Sequence, residues 1–406
     1  MSKKNLLTEK TISDIKNILE KQLWKKRNMF KNEFDKSEEK GSRKLSDHIY
    51  KIYTKIREIG NFSEYVNQQD FHDGVWFFSD YAYTPFSKKE FFEKIEEGIF
   101  STNLYEFYFP IPGIHNFPTG LKIGYCESIE YSKMPVDIQS HFEMNWKIAY
   151  KWNKEIYHLE NDFLNHRKKF LFLKLVVNGI RHTKTMEKAE RMVDESLHIL
   201  RYVYQIDIQP FDYLYKKIGS KSIGGIRGFA SAIRNFSAGY DPRLHADFVE
   251  FTRIFTGTKL TNLEERIKNT IIAFGISTSV RYKPVRLSIL CSSLEALVLD
   301  KSDRDYLGWK LAERVTFLIK MKKKRSEVNR DIVDLYNKRS IFMHQKSDTA
   351  NAVSEYDIQY AEFLVFNTMR KFFELKRSGY EVLVRTKGKK SIMEWIEAKK
   401  FREKIK

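Results

Sequence analysis

The chain has 406 residues, with 72 Lys and Arg against 53 Asp and Glu, a formal charge of +19. Hydrophobic residues make up 42% and only 8 residues are Pro. That is enough apolar mass to offset ordering entropy, so a disordered or low-complexity chain is excluded. Two cysteines, Cys126 and Cys291, are too few for a disulfide framework or a zinc site.

No run approaches the roughly 18 apolar residues of a membrane span. The longest, Phe170 to Val177, is interrupted by Lys174. The first residues are polar and helix-patterned rather than signal-like, and a soluble, cytoplasmic protein is expected. The basic excess favours an anionic partner, of which nucleic acid is the commonest, although lysine enrichment across a whole chain also has compositional origins. Local clustering says more. Lys320, Lys322, Lys323, Lys324 and Arg325 place five cations in six positions, and Lys387 to Lys390 form a second cluster. No aromatic residue is interleaved with either, so each reads as a phosphate-contacting patch or a solvated loop.

In chain order, residues 5 to about 38 predict one long charged helix, and Leu45 to Ile59 a second, closed by Gly60. Neither has a wide apolar stripe, so this part is expected to pack only partly on the body. Val75 to Phe78 and Leu104 to Phe109 read as strands, with Ser87 to Glu90 opening a short helix between them as a capping box. Leu121 to Tyr131 predicts a strand or hairpin. A helix from about 136 to 168, a strand at Phe170 to Val177 and a helix from about 185 to 205 follow. The glycines between Gly219 and Gly228 fit no phosphate-loop pattern and read as a loop.

From about 261 the pattern is helical throughout. Thr261 and Glu264 form a capping box opening a helix to about 279. Pro284 sits in the first turn of a helix through Leu299. Further helices are predicted from about 305 to 320, Ser326 to about Phe342, and Ser354 to Ser378. The expected fold is mainly α: an antiparallel helical bundle preceded by an α+β region. The expected division is a charged helical segment at 1–72, an α+β unit at 73–210 with a sensing or regulatory role, a connection at 211–260, the bundle at 261–385 and a basic tail at 386–406.

Arg339 and His344 lie five positions apart, which in a helix means about 140° around the axis and about 7.5 Å along it. Long side chains can still converge on a phosphate beside the helix end. Arginine offers a planar fork of donors that stays charged, and histidine moves a proton near neutral pH. Cleavage of RNA by its own 2′-hydroxyl needs those two services. Glu295, set among Leu294, Ala296 and Leu297, would be costly to bury unpaired. It would orient Arg339 or His344, or pair with Arg314, and a structural ion pair is the favoured reading. Asn337 and Ser340 are candidate hydrogen-bonding partners, and Tyr336 reads as a packing aromatic. His141, His158, His166 and His182 lack neighbours at metal-ligand spacing, and no metal or cofactor is expected.

Leu294-Glu295-Ala296-Leu297, then Glu313-Arg314-Val315, then Tyr336-x-x-Arg339-Ser340-x-x-x-His344 resemble, in order and spacing, the Apea-like branch of the HEPN domains. The resemblance covers about residues 284 to 346, with a fainter likeness at Phe107 to Gly113, Leu121 to Gly124 and 170 to 205. It implies a HEPN-like helical bundle and a metal-independent endoribonuclease acting on RNA, tRNA among the candidates. It also implies a homodimer in which two Arg–His motifs face each other across a twofold axis, Arg339 binding the phosphate and His344 serving as acid–base. An antiviral defence or toxin effector of a prokaryotic cell is the setting expected, its N-terminal region sensing a trigger ligand or partner protein or holding the nuclease in check. A nuclease latent outside a larger complex or without a ligand signal is a third reading. The alternative is a non-catalytic protein whose bundle serves dimerisation or nucleic-acid binding.

Overall fold

The computed structural model describes residues 7–82, 84, 86–145, 170–180, 182–209, 213–218, 223–226, 238–300, 303–344, 353–377 and 396. The first part is helical: α1 (Glu9–Gln22), α2 (Arg27–Lys36), α3 (Glu38–Ile56), α4 (Phe62–Tyr65), α5 (Gln68–Val75) and α6 (Lys88–Ile95). The single helix expected over 5–38 is therefore two. A tight turn at Trp24–Lys26 breaks it, packing the Trp24 ring 5.4 Å from Phe91 and beneath the Arg27 guanidinium at 4.5 Å. The next helix starts seven residues before the expected Leu45, because Ser37 caps it and Gly41 leaves room for the Phe34 ring.

This region has an apolar core of its own, distinct from that of the sheet and bundle, so it does pack only partly on the body. The stripes are narrow but complete, and Ile15, Leu19, Leu45, Ile49, Ile52 and Ile56 are all buried. They form an apolar cluster with Phe62, Phe71, Phe78, Phe91 and Phe100. Val75 to Phe78 is not a strand. Val75 ends α5, which Asn67 caps by accepting the Asp70 N–H at 2.7 Å, and the aromatic run continues as a 3₁₀ turn whose Phe78 meets Phe30 edge-on.

The sheet runs β3 (Lys122–Ile123), β4 (Cys126–Ile129), β5 (Phe170–Gly179), β1 (Asn103–Pro112), β6 (Tyr213–Lys217) and β7 (Ile223–Ile226), with every neighbour antiparallel. A two-residue parallel pair, β2 (Ile114–His115) with β8 (Ala238–Gly239), stands apart. The strand at Leu104 to Phe109 and the hairpin within Leu121 to Tyr131 are as predicted. Part of the glycine-rich stretch is a strand rather than a loop: Gly224 and Gly225 pair with Tyr215 and Leu214 at the sheet edge. Residues 136–145 are helical, and the remainder of the helix expected to 168 lies outside the described residues.

Helix α7 (His182–Tyr204) joins the sheet to the bundle, which comprises α8 (His245–Thr256), α9 (Asn262–Ser279), α10 (Lys283–Val298), α11 (Leu307–Leu318), α12 (Arg325–His344) and α13 (Glu355–Arg377). These last five follow the predicted helices within a few residues, and the capping box at Thr261 and Glu264 is formed in both directions. The mainly α fold with an α+β region is as expected. Sheet and bundle share one core, from Phe107 and Leu173 through Leu197 to Phe274, Leu294 and Val365. Two buried arginines close the C-terminal end of α10, where the helix leaves its last carbonyls unpaired. Arg266 donates to the Leu299 carbonyl at 2.6 Å and pairs with Asp300. Arg314 donates to the Val298 carbonyl at 2.9 Å and pairs with Asp303 at 2.5 Å. No helix among the described residues is long and apolar enough to cross a membrane.

Candidate functional site

Val328, Ile332, Leu335 and Tyr336 are buried at three- and four-residue intervals along α12. Arg339 is the next position in that row, so the fold turns a cation toward the core side of the helix. It meets Glu295, carried on α10. The guanidinium lies 3.8 Å from the Glu295 carboxylate, an ion pair longer than a hydrogen bond, with both side chains about four-fifths covered. Tyr336 completes the group. Its hydroxyl donates to Glu295 at 2.7 Å, and its ring lies 5.3 Å from the Arg339 guanidinium carbon. Burial, with the hydrogen bond to Glu295 behind it, drives the Tyr336 hydroxyl well above its ordinary pKa.

The buried Cys291 sits close enough to feel the same charges. Burial pushes its thiol up to about 12, and the Arg339 cation only partly opposes that. The thiol is neutral at physiological pH and packs as an apolar group. Arg339 Nε is buried and has no hydrogen-bond partner among the described residues. Arg286, which pairs with Glu362, leaves its Nε unpaired in the same way, so a ligand anion would have to meet the exposed fifth of the Arg339 side chain rather than this buried atom.

One small residue allows the arrangement. A Cβ on Gly308, in the first turn of α11, would stand 2.8 Å from Cδ1 of the Tyr336 ring. Gly308→Ala therefore pushes a rigid ring away from Glu295. The expected loss is about 1–3 kcal/mol, as for overpacking elsewhere, read as a lower denaturant midpoint. An unchanged midpoint would mean that the ring relaxes freely.

Of the residues expected from sequence, the fold brings Arg339 and Glu295 together. It does not pair Glu295 with Arg314, which is engaged with Asp303 at the end of α10. Asn337 is exposed and Ser340 half-buried, and among the described residues neither hydrogen-bonds to Arg339, Glu295 or Tyr336. His344 is the last residue of α12. The expected convergence of its side chain with Arg339 lies outside the described residues. Tyr336, expected to pack as an aromatic, also anchors Glu295 through its hydroxyl, a contact spanning 41 residues of sequence.

Lys320, Lys322, Lys323, Lys324 and Arg325 are exposed at the other end of α12, with Lys323 bound to Asp331 at 3.0 Å. Arg325 and Arg339 are fourteen residues apart on the helix, about 21 Å along its axis. The cluster and the Arg339 group are therefore separate features of the chain. The second cluster, Lys387 to Lys390, lies outside the described residues. Comparison with family models, with curated proteins and with solved structures finds no match.

Proposed function

We propose that the chain is a metal-independent endoribonuclease of the HEPN type, acting as a homodimer in the cytoplasm. Arg339 binds and stabilises the scissile phosphate, and His344 moves the protons. The observation that carries this reading is the Arg339 guanidinium, about one-fifth exposed and held from one side by Glu295 and Tyr336, near the helix end that His344 closes.

In the proposed reaction the ribose 2′-oxygen attacks the adjacent phosphorus while one His344 imidazole takes its proton. The five-coordinate phosphorane carries extra negative charge, which the Arg339 fork meets. The bond from phosphorus to the 5′-oxygen then breaks, and that oxygen leaves with a proton from His344 of the second copy. Base and acid in one step require two imidazoles, which a twofold axis supplies. Exposed Ile341 and Met343 on α12, with Tyr282 and Tyr356 near the same end of the bundle, support a second copy covering this end. The prokaryotic defence or toxin setting belongs to the same proposal, with the N-terminal region as its sensing or regulatory unit.

The products identify the chemistry. Attack by the 2′-oxygen leaves a 2′,3′-cyclic phosphate on the upstream fragment and a 5′-hydroxyl on the downstream one, so the downstream fragments of tRNA accept phosphate from a polynucleotide kinase without prior dephosphorylation. A 5′-phosphate at the newly made end of the downstream fragments would contradict the mechanism. Ile341→Glu with Met343→Glu is expected to leave a folded monomer by light scattering, with cleavage lost. Unchanged mass and unchanged cleavage would remove the composite site. A non-catalytic nucleic-acid-binding or scaffold protein is the second reading, favoured by the use Arg339 already makes of Glu295.

A further inference from the structure

No aromatic residue is interleaved with the basic cluster, yet the fold places two beside it. Trp309 on α11 is 61% exposed. Its indole lines a cleft of ≈ 490 Å³ between α11 and α12, together with Phe317, Arg325, Asn329 and Arg330. That volume lies within the roughly 300–1,000 Å³ typical of ligand sites. The Arg325 guanidinium lies over the Phe317 ring, 4.9 Å from its centre. The same two residues also wall a second hollow of ≈ 330 Å³, lined further by Lys320, Asn367, Arg370 and Lys371. The two hollows are therefore consecutive, with the Phe317–Arg325 stack as a shared wall. Cations outnumber carboxylates along them: Lys320, Arg325, Arg330, Arg370 and Lys371 against Glu313 and Glu374.

A cationic track with an aromatic face at one end is how proteins hold single-stranded nucleic acid, with phosphates on the charges and unpaired bases on the rings. Only an unpaired base can leave its neighbours to lie on an indole. The geometry points to a single-strand RNA subsite. One unpaired base stacks on Trp309 in the cleft between α11 and α12, and the flanking phosphates run over Arg325 and Lys320 toward Arg370. The ligand class rests on the ribonuclease reading; the geometry of the track does not. The cleft includes Val333, six residues or about 9 Å from Arg339 along α12, and Trp309 follows Gly308, which abuts Tyr336. Only Arg325, at the far end of the track, stands about 21 Å from Arg339, so the track would select an RNA that is unpaired close to the cut.

Binding is measured with full-length His344→Ala protein, so that RNA stays intact. The probes are a short fluorescein-labelled single-stranded RNA and a duplex of the same sequence, followed by anisotropy. The single strand is expected to bind at least about tenfold more tightly. Trp309→Ala in that background is expected to weaken it by roughly tenfold or more, since stacking on one ring commonly carries that much. Trp309→Phe retains most of the affinity. The exposed indole supports no core, so the melting temperature of both variants stays at that of the parent. Equal binding by Trp309→Ala, equal affinity for duplex, or no RNA binding at all would overturn the subsite. If wild type cuts no RNA while single strands still bind through Trp309, the nuclease reading fails and the subsite stands. If wild type cuts RNA and Trp309→Ala changes nothing, the subsite fails and the nuclease reading stands.

Discussion

Arg339→Ala lowers the rate of RNA cleavage by on the order of 10²–10³, the usual loss when one preorganised donor to a developing anion is removed. The fold is expected to survive. The contact with Glu295 is long, at 3.8 Å, and Tyr336 still donates to that carboxylate, so the stability cost is about 1 kcal/mol. Arg339→Lys should recover little activity. An ammonium lacks the planar fork and cannot lie flat over the Tyr336 ring, although it restores the charge. The pair of variants separates two roles. A structural arginine would lose stability without a matching loss of rate, and lysine would repair it in part. Full activity in folded Arg339→Ala would show that the phosphate is bound elsewhere.

Arg314→Met is expected to cost about 3 kcal/mol, the largest stability effect in the bundle. The substitution leaves Asp303, whose side chain is 9% exposed, without its main partner, and removes the donor to the Val298 carbonyl. Lys310 remains at 3.1 Å and keeps the loss below the upper end of the usual range. Loosening this end of α10 disturbs the helix that presents Glu295. Asp303 also sets a pH window. Burial alone would raise its pKa, but the hydrogen bonds and charge of Arg314 and its neighbours hold it down at about 2. A depressed carboxylate contributes stability that is fully present above its unfolded value near 4 and lost as pH falls through about 2. For Asp303 that contribution is on the order of 2 kcal/mol. Arg314→Met should therefore unfold at a higher pH in acid titrations as well as at lower urea. Coincident acid transitions for wild type and variant would contradict the assignment.

The bundle was legible because its boundaries are written locally. Thr261 and Glu264 cap α9, Pro284 opens α10, and apolar spacing carries the rest. The N-terminal half was less so, for identifiable reasons. Gly41 and the polar residues after it mask the first turns of α3, while Val75 to Phe78 looks like a strand because an aromatic run has no period of its own. β7 was hidden by glycines that an edge strand tolerates. Within the site, Arg339 was visible as chemistry, and its place in the row of Val328, Ile332, Leu335 and Tyr336 could have been read from spacing. The Tyr336 contact with Glu295 could not, because it joins two helices 41 residues apart. The aromatic partners of the basic cluster were missed because Trp309 and Phe317 come from the preceding helix, and only the packing of α11 on α12 brings them beside Arg325.

The most direct test incubates total cellular RNA and tRNA with the protein in EDTA, comparing wild type with His344→Ala of matched fold and mass. Cleavage by wild type that persists in EDTA, and falls by on the order of 10²–10⁴ in His344→Ala, is the predicted result. Cleavage that EDTA abolishes, or that His344→Ala performs as well as wild type, would contradict the account.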